Sequence, residues 1–281
     1  MRNIITVDVE DWYHGNDINI PINEYNCYQD RIVDSITVVL DLFSQYNVKA
    51  TFFVLGCIAQ KHPEIVRRMV ADGHEIGSHG FWHSLVYQQK EQEFRRQLLD
   101  SKHILEDITG SKVQFYRAPS WSISRDCLWV LEILEEEGFI CDSSVHPFKT
   151  PLYGIKGAPA EPYHPIINGK TLGLLEYPPT VMKIGKCIFP IAGGLYLRTF
   201  PCWFTIKALE LVNKGSTAMV YTHPWEMDTK QPVLKVSPLI KLTHYYNLHT
   251  TKTKLEKLLQ TFEFAPLGEV IKDGNYPALK I

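Results

Sequence analysis

The chain has 281 residues, 45% hydrophobic and 21% charged, with a formal net charge of −2. That composition supports a sizeable core, excludes a disordered chain and gives no basic footprint for nucleic acid. No apolar run approaches the ~20 residues that span a bilayer, so no transmembrane segment is expected. The opening Met1-Arg2-Asn3-Ile4-Ile5-Thr6-Val7 leaves too few apolar residues before Asp8 for a signal-peptide core. Six cysteines without a Cys-x-x-Cys pair fit reduced, mostly buried thiols in a cytoplasmic protein.

Ile4-Ile5-Thr6-Val7 reads as a buried strand that runs into Asp8-Val9-Glu10-Asp11. A helical pattern follows, with Ile32, Ile36, Val39, Leu40 and Phe43 on one side. Ala50–Leu55 is continuous and apolar, as buried parallel strands tend to be. A helix with Ile65, Val66 and Met69 ends at Gly73, and Glu75-Ile76-Gly77 then delivers His79. Next come a helix with Phe94, Leu98 and Leu105 closed by Gly110, and the strand Val113–Tyr116. A helix through Leu128, Leu131 and Leu134 leads past Gly138 to Phe139-Ile140-Cys141 and Asp142. Later, a helix with Ile206, Leu209 and Val212 precedes Ala218–Tyr221 and His223. Residues 145–200 break the rhythm with Pro and Gly, and predict an inserted excursion over the barrel mouth, with short strands at Leu172–Tyr177 and Val181–Ile184. The tail predicts a helix near Leu255–Phe262 and a final strand over Phe264–Val270. Alternating strands and helices imply a parallel sheet with right-handed crossovers.

The polar residues carry the functional signal. Asp8, His79, Arg117, Asp142 and His223 each fall just past the C-terminal end of an expected strand. In a parallel barrel those ends converge on the face that hosts active sites. His79 and His83, four apart, share a face if the backbone makes a helical turn there. With one carboxylate they make a three-ligand set that leaves a position open for water, as in catalytic zinc sites. Of Asp8, Glu10 and Asp11, one would sit on the metal and one remain free as general base. Arg117 beside that base would hold it ionised. His223 is a candidate general acid, with Asp142 or Ser143 as its hydrogen-bond partner. Trp12, Trp82, Trp121 and Trp225 each lie within two residues of one of these side chains, and aromatic faces suit sugar rings.

These pieces resemble the polysaccharide deacetylases of the NodB-homology type, carbohydrate esterase family 4. The matching stretches are Thr6–Asp11, Ser78–His83, Arg117-Ala118-Pro119-Ser120-Trp121, Asp142-Ser143-Ser144 and Thr222–Glu226. Gly193-Gly194 through Phe204, and His244-Tyr245-Tyr246-Asn247-Leu248, resemble the C-terminal extension of the subgroup encoded with exopolysaccharide export loci. The resemblance implies an α/β fold, a distorted (β/α)7 barrel. It implies one domain over residues 1–281, with a core to about 226, the insertion at 145–200 and an extension over 227–281. It further implies His79 and His83 as ligands of Zn2+ or a similar divalent ion, Asp8 as base with Arg117 as its partner, and His223 as acid oriented by Asp142. Many family members carry two adjacent Asp residues, whereas Val9 follows Asp8 here. The carboxylate ligand is then Glu10, by analogy with an Asp-x-Asp pattern, or Asp11. Two His and one carboxylate also suit Co2+, Ni2+ or Fe2+.

The expected function is metal-dependent removal of N-acetyl groups from amino sugars of a glycan, in exopolysaccharide biosynthesis, beside membrane-associated assembly partners. The rivals are an amidohydrolase of cyclic imides or allantoin-like substrates on the same fold, and a non-catalytic glycan-binding protein.

Overall fold

The computed structural model describes residues 2–185, 187–272 and 274–281. Its centre is one curled sheet of seven parallel strands. They are β1 (Asn3–Val9), β2 (Thr51–Val54), β3 (Glu75–Ser78), β4 (Phe115–Tyr116), β5 (Cys141–Asp142), β6 (Leu175–Glu176) and β7 (Met219–Thr222). They pair in the order β7-β1-β2-β3-β4-β5-β6, and a short β8 (Phe264–Ala265) pairs with the start of β1. The helices are α1 (Ile32–Gln45), α2 (Gly56–Lys61), α3 (Pro63–Ala71), α4 (Glu91–Thr109), α5 (Trp129–Glu136), α6 (Gly194–Thr199), α7 (Cys202–Val212), α8 (Pro238–Tyr245), α9 (Leu248–Thr261) and α10 (Leu267–Ile271).

Alternation along β1 sets up the site. Ile5, Val7 and Val9 join the large cluster that includes Ile36, Val39 and Phe43 of α1. Ile4 instead meets Phe53, Phe115, Cys141, Leu175 and Met219 inside the barrel. Successive strand side chains point to opposite faces, so Thr6 and Asp8 follow Ile4 inward. Val9 between the two acids is therefore an outward packing residue.

The barrel is sealed at its seam and its base by side chains. Between β6 and β7, Met219 N donates to Thr180 Oγ1 at 2.6 Å and the Tyr177 hydroxyl donates to Thr217 O at 3.2 Å. At the base, Glu75 Oε2 accepts from Thr51 Oγ1 at 2.6 Å and from Gly268 N at 3.0 Å, while Leu267 plugs the interior cluster.

Two expectations change here. The segment 145–200 does more than cover the mouth, because Leu175–Glu176 is the sixth barrel strand. The rest of it forms the ribbon Val181–Ile184 with Cys187–Pro190, and a small sheet of His164–Ile167, Lys170–Thr171 and Ala278–Lys280. Of the strand expected over Phe264–Val270 only Phe264–Ala265 forms, and α10 begins directly after Pro266. Among the described residues, no helix is long and apolar enough to cross a membrane.

Candidate active site

Asp8 and Arg117 face each other inside the mouth of the barrel. Arg117 Nη1 donates to Asp8 Oδ1 at 2.7 Å and to Thr6 Oγ1 at 2.8 Å. Nη2 donates to Ser143 Oγ at 3.0 Å and Nε to Ser143 O at 3.3 Å. The guanidinium also lies over the Phe53 ring, 4.3 Å from its centroid. Arg117 is fully buried, and such a cation is tolerable only when paired and hydrogen-bonded in this way.

Ligand atoms of Glu10, His79 and His83 all lie within 4.8 Å of one another. The His79 Nδ1 proton points to Arg117 O at 2.8 Å, which leaves Nε2 as the free lone pair. Burial lowers the His79 pKa to about 4, so the ring is neutral, the form a metal ligand requires. Glu10 Oε2 is buried without a hydrogen-bond partner, although it lies 3.0 Å from His83 Nε2. Its carboxyl is raised by burial but held net below the usual range by His83 and His223. An orphaned carboxylate oxygen converging on two imidazoles fits a divalent cation.

The two imidazoles do not meet on a helix. Residues 79–83 form an irregular turn in which Gly80 and His83 take left-handed conformations, with φ of 76° and 61°. A left-handed histidine is uncommon, and such backbone clusters at functional sites. Asn16 braces it, donating to His83 O at 3.3 Å and Ser120 Oγ at 3.0 Å, with its amide 3.0 Å from His83 Nδ1. Asp11, the other carboxylate considered as a ligand, turns away. Its oxygens accept from the backbone N–H groups of Trp12, Arg31 and Ile32 at 2.8, 2.7 and 2.9 Å, so it caps the start of α1.

His223 stands opposite, with Nε2 3.2 Å from Glu10 Oε1 and 4.0 Å from Asp8 Oδ2. Its partner is Glu226, not Asp142. Glu226 Oε2 accepts from both His223 N and His223 Nδ1 at 3.0 Å. The short turn Pro224–Met227 explains this: Pro224 sits at the first position, and Glu226 at the third reaches back to the cap residue. Arg198 Nε lies 2.8 Å from the other oxygen, Glu226 Oε1, and its Nη atoms donate to the carbonyls of Thr243, His244 and Tyr246. Burial lowers the His223 pKa, but Glu10 and then Glu226 raise it to a net value of about 9.

Asp142 serves the sheet instead. It accepts from Ser144 Oγ and pairs in register with Glu176 on β6. Glu176 Oε1 accepts from Ser144 N and Val145 N at 3.2 and 3.0 Å. Burial raises both carboxyls, Asp142 to about 6 and Glu176 well above its usual range, so the pair holds a proton between them.

A cleft of about 540 Å³ opens over these groups, a size that suits small ligands. The loop Thr150–Tyr153, the start of α6 and one face of α8 wall it. Trp121 and Trp225 line it, whereas Trp12 and Trp82 do not. Trp12 is buried beside Tyr13 and Tyr28, with Nε1 donating to Gln29 O at 3.0 Å. Trp82 is 36% exposed and packs on Phe81. Trp225 stacks between His223, at 5.5 Å, and His244, at 4.4 Å. Glu226, Arg198, Asn16 and His244 were not among the site residues expected from sequence. Only Glu226 had a local signal, the Pro-x-Glu after His223.

Comparison with known proteins agrees with this geometry. A family model described as polysaccharide deacetylase matches residues 25–137, and one described as a domain of unknown function (DUF3473) matches residues 143–272. A peptidoglycan-N-acetylglucosamine deacetylase of Bacillus cereus is 40% identical over 95 residues, covering 34% of this chain and 34% of the relative. A chitooligosaccharide deacetylase of Sinorhizobium fredii is 35% identical over 91 residues, covering 32% of this chain and 42% of the relative. The matches thus span less than half the length of these curated relatives. Among solved structures, a polysaccharide deacetylase from Mycobacterium smegmatis superposes with TM-score 0.62 at 18% identity, over 96% of this chain and 88% of that one. The Bc1960 peptidoglycan N-acetylglucosamine deacetylase gives TM-score 0.52 at 18% identity, over 98% and 90%. Likenesses at that identity establish a shared fold. Residues 25–137 thus match the polysaccharide deacetylase family model, and the fold built around them is shared with solved structures of that description.

Proposed function

We propose that this protein is a metal-dependent hydrolase that removes N-acetyl groups from amino sugars of an oligosaccharide or polysaccharide. The observation that carries the reading is one cleft in which Glu10, His79 and His83 converge beside an arginine-held Asp8, with His223 opposite. A divalent cation held by Glu10, His79 and His83, with Zn2+ preferred over Co2+, Ni2+ or Fe2+, supplies a Lewis acid for the amide carbonyl and acidifies water.

The chain's own groups supply the rest. Asp8, fixed by Arg117, takes the proton of the attacking water. His223, fixed by Glu226, gives a proton to the departing nitrogen, a necessary step because an amide anion is a poor leaving group. Trp121 and Trp225 offer flat faces for a sugar ring. The deacetylase names of the relatives support an N-acetylated glycan as substrate. A role in exopolysaccharide biosynthesis, membership of the export-locus subgroup, a cytoplasmic site of action and polysaccharide-assembly partners belong to the same proposal. So does one working domain with a core to about residue 226 and an extension over 227–281. They rest on the motif resemblance.

The test is acetate release from chitin-type and peptidoglycan-type N-acetylglucosamine oligomers, with chelator and with Zn2+ restored, beside small cyclic amides. Metal-dependent acetate release is expected. Turnover of the cyclic amides alone, or of nothing, would defeat the proposal.

A further inference from the structure

We propose that the segment Thr229–Tyr246, on the rim of the cleft, docks on an anionic lipid bilayer. Helix α8 turns Ile240 and Thr243 into the cleft wall and lays His244 flat on Trp225. Along its outer side, Leu239, Leu242 and then Tyr246 are spaced three and four residues apart, which places them together. They are 69%, 54% and 41% exposed, and Val233 in the preceding loop is 62% exposed.

The charge around these side chains selects the occupant. Lys230, Lys235 and Lys241 are exposed among them, and no Asp or Glu occurs between Thr229 and Tyr246, in a chain whose net charge is −2. The neighbouring carboxylates are engaged, Asp17 with His244 and Asp228 with Arg31. Apolar side chains interleaved with lysines suit the headgroup boundary of a membrane rich in anionic lipid. Leu239 also lines the cleft, so docking brings the cleft mouth to the bilayer surface. Resting on the deacetylase reading, the substrate is then a glycan presented on a lipid or at the membrane face.

Vesicle sedimentation tests the docking itself and needs no activity. The full chain is spun with phosphatidylcholine vesicles and with phosphatidylcholine–phosphatidylglycerol vesicles, beside Leu239→Ser/Leu242→Ser and Lys235→Glu/Lys241→Glu variants whose folding is checked by circular dichroism. Binding to the anionic vesicles is expected, falling as salt rises and weakened at least about tenfold in each variant. No binding at low salt, or equal binding by either folded variant, overturns the proposal. A dimer in solution that Leu239→Ser/Leu242→Ser dissolves would assign this face to a second copy and also overturn it.

Discussion

Replacing Glu226 with Gln keeps the shape of the Arg198–Glu226–His223 chain and removes its central charge. Glu226 Oε2 lies 3.0 Å from His223 Nδ1, where a unit charge pair is worth about 5 kcal/mol at an effective dielectric of about 20. A neutral hydrogen bond to the amide returns about 1–2 kcal/mol. The remaining ~3 kcal/mol falls on the protonated imidazole that must serve as acid, and at about 1.4 kcal/mol per decade it costs about 10²-fold in rate. Arg198 loses its counter-charge as well, so the variant should also melt earlier. The assay is kcat/KM for acetate release, with thermal melts and zinc titration as controls. Asp142→Asn is the contrast: the amide oxygen still accepts from Ser144, and activity should stay within about threefold of wild type, the ordinary range for a change that leaves the site untouched. A Glu226→Gln enzyme at the wild-type rate, or an Asp142→Asn enzyme that loses about 10²-fold while still folded, would refute this assignment of the partner.

Asp8→Asn should cut acetate release by at least about 10²-fold while leaving zinc affinity within a few-fold, measured by calorimetry. His79→Gln should lose zinc affinity outright, and Asn16→Ala, which unbraces His83, should weaken it about 10- to 100-fold. The Asp142–Glu176 pair predicts a pH signature. Carboxyls raised on folding stabilise the protein below their unfolded values, 3.8 for Asp142 and 4.5 for Glu176, and that contribution is lost as pH climbs through the folded values, about 6 for Asp142 and higher for Glu176. Glu176→Gln has no proton to lose there, so its melting temperature should gain on wild type from about pH 5 upward; parallel curves would count against the shared proton.

What the sequence disclosed follows the range of the interactions. The inward face of β1 could be read because period-two alternation is local; Asp8 ends that face, and Glu10 follows two residues on, just past the strand. Asp11 stayed a second candidate because the helix end that captures its side chain lies 20 residues away in sequence. The spacing of His79 and His83 pointed to two side chains that do converge, but through the wrong backbone. A helix was assumed, whereas left-handed Gly80 and His83 fold the turn. The strand expected over Leu172–Tyr177 shrinks to Leu175–Glu176, and a strand of two residues carries no period to show that it belongs to the barrel and not to an excursion over its mouth. Trp12 shows that closeness in sequence does not fix a side chain's direction, since Glu10 two residues before it faces the site while its own ring packs with Tyr13 and Tyr28. Arg198 was illegible in principle. Its meaning depends on carbonyls contributed by residues 243, 244 and 246.

The two family models divide the chain at a place where the structure shows no division. The region through residue 137 carries His79, His83 and Arg117, while the region from residue 143 carries Arg198, His223 and Glu226. Neither contains Asp8 or Glu10. Asp8 stands on β1 and Glu10 just past its end, and β1 pairs with β2 on one side through Thr6↔Thr51 and with β7 on the other through Ile4↔Met219. The strand that delivers the proposed base and the proposed carboxylate ligand is thus the one that joins the two regions. Arg117, from the first, reaches Ser143 and Met219 of the second. A cleft built this way cannot form from the first region alone, because Arg117 is left buried without Asp8, and an unpaired buried charge is among the most costly defects a fold can carry. The stretch described only as a domain of unknown function carries, on this geometry, the proposed acid His223 and the Glu226 that holds it.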